Sequence, residues 1–178
     1  MQAGTPECER LCREAEAERQ RGRPARAVEL LELALQVEPG SLPAGLILAQ
    51  VLLDQARYAD AAAQLERLTQ AHPAQPAPWR MLGMMHWEAE RPAQALEPMR
   101  RWADLAPADP DAQLKLAKLM IDLGDWDNAL KRVDRVDPGG VAAPVVRLRQ
   151  AQAQFEGGDT EKAIEIFEDA VRLRPEYS

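Results

Sequence analysis

The sequence predicts an all-α protein of antiparallel helix pairs stacked in series, and three observations carry that prediction. Proline recurs at positions 39, 73, 107 and 175, at intervals of 34, 34 and twice 34. Alanine recurs in the same phase at Ala27, Ala61, Ala95, Ala129 and Ala163, and four of these stand twelve residues before one of those prolines. No segment combines period-2 alternation with β-branched residues. Aromatics make up only 4% of a chain that is 46% hydrophobic, so the core is Ala, Leu and Val between closely packed helices. A fixed period of this length marks a repeat architecture, in which no unit buries its apolar face alone.

The units run approximately over 8–41, 42–75, 76–109, 110–143 and 144–177, which makes residues 1–178 one repeat domain. Each centre reads as a helix end, a tight turn and a new helix: GRPARA (22–27), ARYADA (56–61), ERPAQA (90–95), GDWDNA (124–129) and GDTEKA (158–163). Gly22, Gly124 and Gly158 permit a left-handed C-cap. Pro24 and Pro92 suit the first turn of a helix. The closing proline stops the second helix.

Taken in order, unit one has Ala15, Ala27-x3-Leu31, Ala34 and Pro39, and unit two has Ala49, Ala61-x3-Leu65 and Pro73. Unit three has Trp79-x2-Leu82-Gly83-x2-His86, then Ala95-x3-Met99 and Pro107. Unit four keeps Ala117 and Ala129 in phase but has Val141 in place of the proline, and VDPGG (136–140) should end its second helix early. Unit five has Ala151, Ala163-x3-Phe167, Ala170 and Pro175. This pattern resembles the tetratricopeptide repeat family, whose signature is W-x2-L-G-x2-Y, then A-x3-F, then P over 34 residues. The resemblance covers nearly the whole chain. It implies a right-handed α-solenoid of about ten helices, each roughly 12–15 residues and about 20 Å long. Gly83, or alanine in other units, lets the two helices of a hairpin approach, with Trp79, Leu82 and Met99 filling the space around them. Pro98, inside a second helix, is expected to bend or fray it.

Composition narrows the function classes. A formal charge of −7 without a basic cluster argues against nucleic acid as the main partner. The N-terminus has no apolar h-region, and the longest apolar run, Leu42–Leu53, is too short to span a bilayer. No membrane insertion is expected, and the cytoplasm is the default compartment unless a leader was removed. The Ala- and Arg-rich, Lys-poor composition suggests a GC-rich bacterial source. Cys8 and Cys12, one turn apart, read as small helix residues rather than a zinc or disulfide framework. His72 and His86 are the only histidines, Ser41 and Ser178 the only serines, and no phosphate loop or nucleophile elbow occurs. The chain is read as non-catalytic, with no metal and no cofactor.

WRMLGMMHWE (79–88) tests that reading. Trp79, Leu82, Gly83 and His86 fall in the inward slots of a first helix, with Met85 toward the neighbouring repeat. Adjacent side chains on a helix diverge, so His86, Met84 and Met85 read as packing rather than as metal ligands. Arg80, Met84 and Trp87 share another face, which in the resembled family lines the groove where partner peptides lie.

The 34-residue phase extends this face into rows. One is Leu53, Trp87, Ile121 and Phe155, and beside it run Asp54, Glu88, Asp122 and Glu156. Others are Gln50, Met84, Lys118 and Gln152; Leu46, Arg80, Leu114 and Leu148; and Ile47, Met81, Lys115 and Arg149. The apolar row serves either to seal the seam between repeats or to contact a peptide. In the acidic row, Asp54–Arg57 and Glu88–Arg91 are expected as i,i+3 pairs, whereas Asp122 and Glu156 have Asp125 and Asp159 in that place and should be electronegative. No asparagine occupies the slots with which some members of the resembled family hold a C-terminal carboxylate, which argues against that mode.

The resulting expectation is a protein-interaction adaptor binding an extended or helical segment of another protein in this groove. The alternative is a docking or regulatory part of a larger assembly (secretion, pilus, polysaccharide export, or a transferase), using its ends or convex face. In the final helix, Glu161–Arg174, Phe167 and Ala170 should pack inward. Ile164 and Val171 should form an apolar patch covered by a second copy, a partner or further sequence.

Overall fold

The computed structural model describes the backbone at residues 5–136, 147, 150, 152, 154 and 156–173, and the side chains at all of these except 134–136, 160, 167 and 170–173. Among the described residues there are nine α-helices and no strand. They are α1 (Pro6–Gln20), α2 (Pro24–Val37), α3 (Leu42–Asp54), α4 (Tyr58–Ala71), α5 (Pro76–Glu88), α6 (Pro92–Leu105), α7 (Pro110–Asp122), α8 (Trp126–Val136) and α9 (Thr160–Leu173). Residues 147, 150, 152, 154 and 156, where the first helix of unit five is expected, are helical. The end of unit four's second helix beyond Val136 lies outside the described residues.

The turns repeat with the sequence. Positive φ occurs at Gly22, Ala56, Glu90, Gly124 and Gly158, five positions spaced by 34. After each, an N–H donates back to the carbonyl five residues earlier: Arg23 to Glu18, Arg57 to Leu52, Arg91 to His86, Asp125 to Met120 and Asp159 to Gln154, at 2.8–2.9 Å. This is the 6→1 closure of a Schellman cap. At Ala56 and Glu90 a side chain is carried in a conformation that favours glycine. Between units a second turn recurs, with Ser41, Gln75 and Asp109 donating to the carbonyls of Glu38, His72 and Ala106 at 3.0 Å. Proline stands in the first turn of α1, α2, α3, α6 and α7, where its missing N–H has no helical partner to lose.

The chain divides into two compact units, Met1–Met85 and His86–Ser178. In the first, α1 packs on α2 and α3, α2 on α3, and α3 on α4. One apolar cluster joins Leu11, Ala15, Ala27, Leu31, Leu48, Ala49, Ala61, Leu65, Leu82 and Met85, so Met85 does meet the neighbouring repeats. In the second, α6 packs on α7 and α7 on α8. All five in-phase alanines are buried, as are Ala15, Ala49, Gly83 and Ala117 in the close-approach slot.

Pro98 is buried and α6 continues through it to Leu105 without fraying, because its ring sits inside the packed face. Gly45 falls in the slot that Trp79 fills one repeat later. A Cβ there would stand 2.6 Å from Leu68 Cδ2 and 2.9 Å from Gln64 Nε2, so α4 fills the space a side chain would take. Cys8 and Cys12 are buried free thiols. Cys8 Sγ donates to Ser41 Oγ at 3.3 Å, and burial pushes the Cys12 thiol up to about 11. Among the described residues no helix is long and apolar enough to cross a membrane.

Candidate protein-interaction face

The first helices, α1, α3, α5 and α7, place the sequence rows in space. Within the first unit, Leu46, Ile47, Leu53 and Met81 are half-buried and pack against the core cluster, while Gln50, Asp54 and Arg80 are exposed and Met84 is half-buried. Asp54 is enclosed by its own fold. Arg19 Nη1 donates to its Oδ2 at 3.0 Å, and Gln50 Nε2 donates to its Oδ1 at 2.8 Å. Arg19 also forks onto Glu16 at 2.7 and 2.9 Å. That hydrogen bond holds the Glu16 carboxyl below its ordinary value. The expected Asp54–Arg57 pair does not form, since Arg57 turns to Asp60 at 2.6 Å at the start of α4.

Within the second unit the acidic row is open. Lys118 Nζ sits 5.1 Å from the ring centroid of Trp87, a cation–π contact between α7 and the end of α5. Trp87 and Ile121 are half-buried, and Leu114 is 41% exposed. Lys115 pairs along its own helix with Asp111 at 3.2 Å. Glu88 and Asp122 are exposed, and no ion pair among the described residues involves either, so the expected Glu88–Arg91 pair is absent as well. Further along, exposed Gln152 donates to Glu156 at 2.9 Å. Asp125 accepts from Asn128, and Asp159 accepts from the Lys162 N–H. Arg149 and Phe155 lie outside the described residues.

The inward residues of the 79–88 stretch divide. Leu82 and Gly83 are buried, while Trp79 and His86 are half-buried. The Trp79 indole N–H donates to the Pro73 carbonyl at 3.0 Å, tying the helix to the turn before it. His72 Nε2 similarly meets the Gly40 carbonyl at 2.8 Å. Among the described residues no three His, Cys, Asp or Glu side chains converge on one point. Ile164 is 55% exposed on α9; the side chains of Phe167, Ala170 and Val171 lie outside the described residues.

Sequence reasoning missed two polar groups. Arg19 occupies the position of the apolar row one repeat before Leu53. Gln113 and Arg132 occupy slots filled by Trp79 and Pro98 in the preceding unit. Polar residues in both of these slots of one hairpin are the signal.

A tetratricopeptide repeat profile matches residues 18–84 and 86–142, and a second matches 146–177. The chain belongs to the tetratricopeptide repeat family. This confirms the all-α class of stacked antiparallel helix pairs expected from the period. No curated protein matches the chain significantly. Among solved structures, the tetratricopeptide chain is similar to YrrB, described as a TPR protein with an unusual peptide-binding site. The two share 21% identity and a TM-score of 0.66, over 93% of this chain and 85% of YrrB. It is also similar to the MamA protein, with 18% identity and a TM-score of 0.67 over 94% of this chain and 92% of MamA. MamA 41-end from Desulfovibrio magneticus RS-1 gives 16% identity and a TM-score of 0.66, covering 98% of each chain.

Proposed function

We propose that this tetratricopeptide chain is a non-catalytic adaptor whose residues 1–178 act as one interaction domain. Segments of another protein lie along the first-helix faces, formed by Leu53, Arg80 and Met84 in the first unit and by Trp87, Glu88, Lys115, Lys118, Asp122, Arg149, Gln152 and Phe155 in the second. The observation that carries the reading is the Trp87–Lys118 stack beside the open carboxylates Glu88 and Asp122. The stack holds a broad apolar ring and a fixed cation where a peptide side chain can meet both, and the acids beside it favour a segment carrying basic residues. The peptide-binding site named for YrrB supports the same use of the fold. Net acidity turns nucleic acid away. A reducing, cytoplasmic compartment suits the two free buried thiols.

Crosslinked capture with wild-type protein, followed by mass spectrometry, identifies the partner. Recombinant partner then binds wild type and loses at least about tenfold in affinity to Glu88→Lys/Asp122→Lys, both exposed and outside any ion pair among the described residues, with the melting temperature kept. Unchanged affinity in that variant removes the first-helix face from the function. The second reading, a docking part of a larger assembly, is favoured by exposed Ile164, a contact point for a further chain. Sedimentation of Ile164→Glu beside wild type shows whether that chain is a second copy.

A further inference from the structure

One cleft in the second unit is lined mainly by cations. Arg100 of α6, Met120 of α7, and Asn128, Lys131 and Arg132 of α8 enclose about 280 Å³. The repeat phase explains its construction. The slot of Arg132 is filled by Leu30, Gln64, Pro98 and Ile166 in the other units, all of them buried. The arginine in this slot has a side chain only 15% exposed. Its Nη1 donates to Asp104 Oδ1 at 3.0 Å and to Gln113 Oε1 at 3.1 Å. Gln113 is itself buried and donates to the Ala103 carbonyl at 2.7 Å, which fixes the amide that holds the guanidinium.

No hydrogen bond among the described residues uses Nε or Nη2 of Arg132. Beside it, Arg100 and Lys131 are exposed, and no ion pair among the described residues involves either. The Asn128 amide nitrogen goes to Asp125. The chain holds 29 acids against 22 Lys and Arg, and in the first unit Arg10, Arg19, Arg21, Arg23, Arg26 and Arg57 each hold a carboxylate. In a larger arginine-lined cleft on α1 and α2, three of the four arginines are held in that way, Arg21 and Arg23 on Glu18 and Arg26 on Glu29, with Arg13 outside any ion pair among the described residues. In the α6–α8 cleft Arg132 holds Asp104, but its neighbours Arg100 and Lys131 hold no carboxylate among the described residues. A largely buried, rigidly held guanidinium with donors to spare has lost hydration that an anion would restore.

We propose that this cleft binds a short acidic segment of a partner protein, with one carboxylate on Arg132 and its neighbours on Arg100 and Lys131. A guanidinium is a planar fork matched to a carboxylate, and its burial strengthens the pairing. The volume suits one or two acidic side chains and falls below that of a drug-sized ligand site. The formal charge of −7 repels a long polyanion, so a brief acidic run in an otherwise neutral segment is the occupant that fits. The site lies on α6 and α8 with Gln113 and Met120 of α7 beneath it, and uses none of the residues of the first-helix face, so either stands without the other.

The test is a titration of isotope-labelled full chain, followed by NMR, with a synthetic peptide in which a run of glutamates is flanked by Gly and Ser. Inorganic phosphate serves as a second titrant. Wild type is expected to show saturable shifts at Asn128, Lys131 and Arg132, with a dissociation constant between about 10 μM and 1 mM that weakens with salt. Arg100→Glu/Lys131→Glu, both exposed, should weaken the peptide at least about tenfold at an unchanged melting temperature, while Lys162→Glu, exposed on α9, changes it by less than about twofold. Four results overturn the proposal: no saturation by wild type, equal affinity in the double variant, phosphate binding as tightly as peptide, or sedimentation showing that a second copy fills the cleft.

Discussion

The first-helix faces of the two units are built from the same rows and end in opposite electrostatic states. In the first, Asp54 is closed by Arg19 and Gln50. In the second, Glu88 and Asp122 stand open beside a Trp87–Lys118 stack. One slot accounts for the contrast. Arg19 sits in phase with Leu53, Trp87 and Ile121, so only the first repeat places a cation where it reaches the acid 35 residues on. Repeat phase sets where a side chain stands. The neighbour one repeat earlier decides whether its charge is already spent.

The comparison presumes that both units obey one register, and the largest expected effect tests that. Ala61→Asp and Ala129→Asp each put a carboxylate at a position with 0% exposure. Each should cost about 2–4 kcal/mol, because the charge is buried without a partner. Denaturant midpoints report the loss. A midpoint unmoved in one unit only would mean that the two units do not share a register there.

Next is the stack itself. Trp87→Ala should cost about 1–2 kcal/mol, less than the roughly 3 kcal/mol or more of a fully buried aromatic, since the ring is only half-buried. Partner affinity should fall at least about tenfold. Calorimetry beside a binding assay separates a ring that seals the repeat seam from one that meets a ligand. A loss above about 3 kcal/mol assigns it to the seam.

How much of this was legible in the sequence follows from what a period can encode. The in-phase alanines and the glycine turns were readable because they answer to backbone geometry, which recurs unchanged in every hairpin. The Asp54–Arg57 and Glu88–Arg91 pairs do not form because α3 ends at Asp54 and α5 at Glu88, so the left-handed residues Ala56 and Glu90 break the i,i+3 geometry before either arginine. Arg57 has Asp60 in the first turn of α4, and Asp54 has Arg19 from another repeat. Gly45 and the Gln113–Arg132 pair were illegible for a related reason. They are compensations between two helices of one hairpin, small against large and polar against polar, visible only once the facing slots are known.

Backbone strain supplies a smaller effect, shared by both units. Ala56 and Glu90 carry φ of 56° and 57° at the turn position where Gly22, Gly124 and Gly158 stand. A left-handed side chain costs about 1–2 kcal/mol, and glycine's greater freedom in the unfolded chain takes back part of the gain. Ala56→Gly and Glu90→Gly should each stabilise by about 0.5–1 kcal/mol, measured as a raised melting temperature. A drop in either would show that the side chain makes a contact worth more than the strain.

The smallest effect is aimed at the contrast itself. Arg19→Gln removes the cation that closes Asp54, and should turn the first unit's acidic edge into one like the second's. Arg19 is about one-third exposed and Asp54 slightly more, so solvent screens the pair and the stability loss should stay below about 1 kcal/mol. The readout is therefore titration rather than melting. In wild type the Arg19 hydrogen bond holds the Glu16 carboxyl below its ordinary value. A depressed folded-state value contributes stability above the unfolded value, and that contribution is lost as pH falls through the folded one. In Arg19→Gln the Glu16 carboxyl should titrate upward, near its ordinary value, and the acid-side dependence from this group should vanish. Asp54 should then join Glu88 and Asp122 in attracting basic segments, with a steeper salt dependence of partner binding. If Glu16 keeps its low titration in the variant, Arg19 is not what closes the edge, and the difference between the two units has another cause.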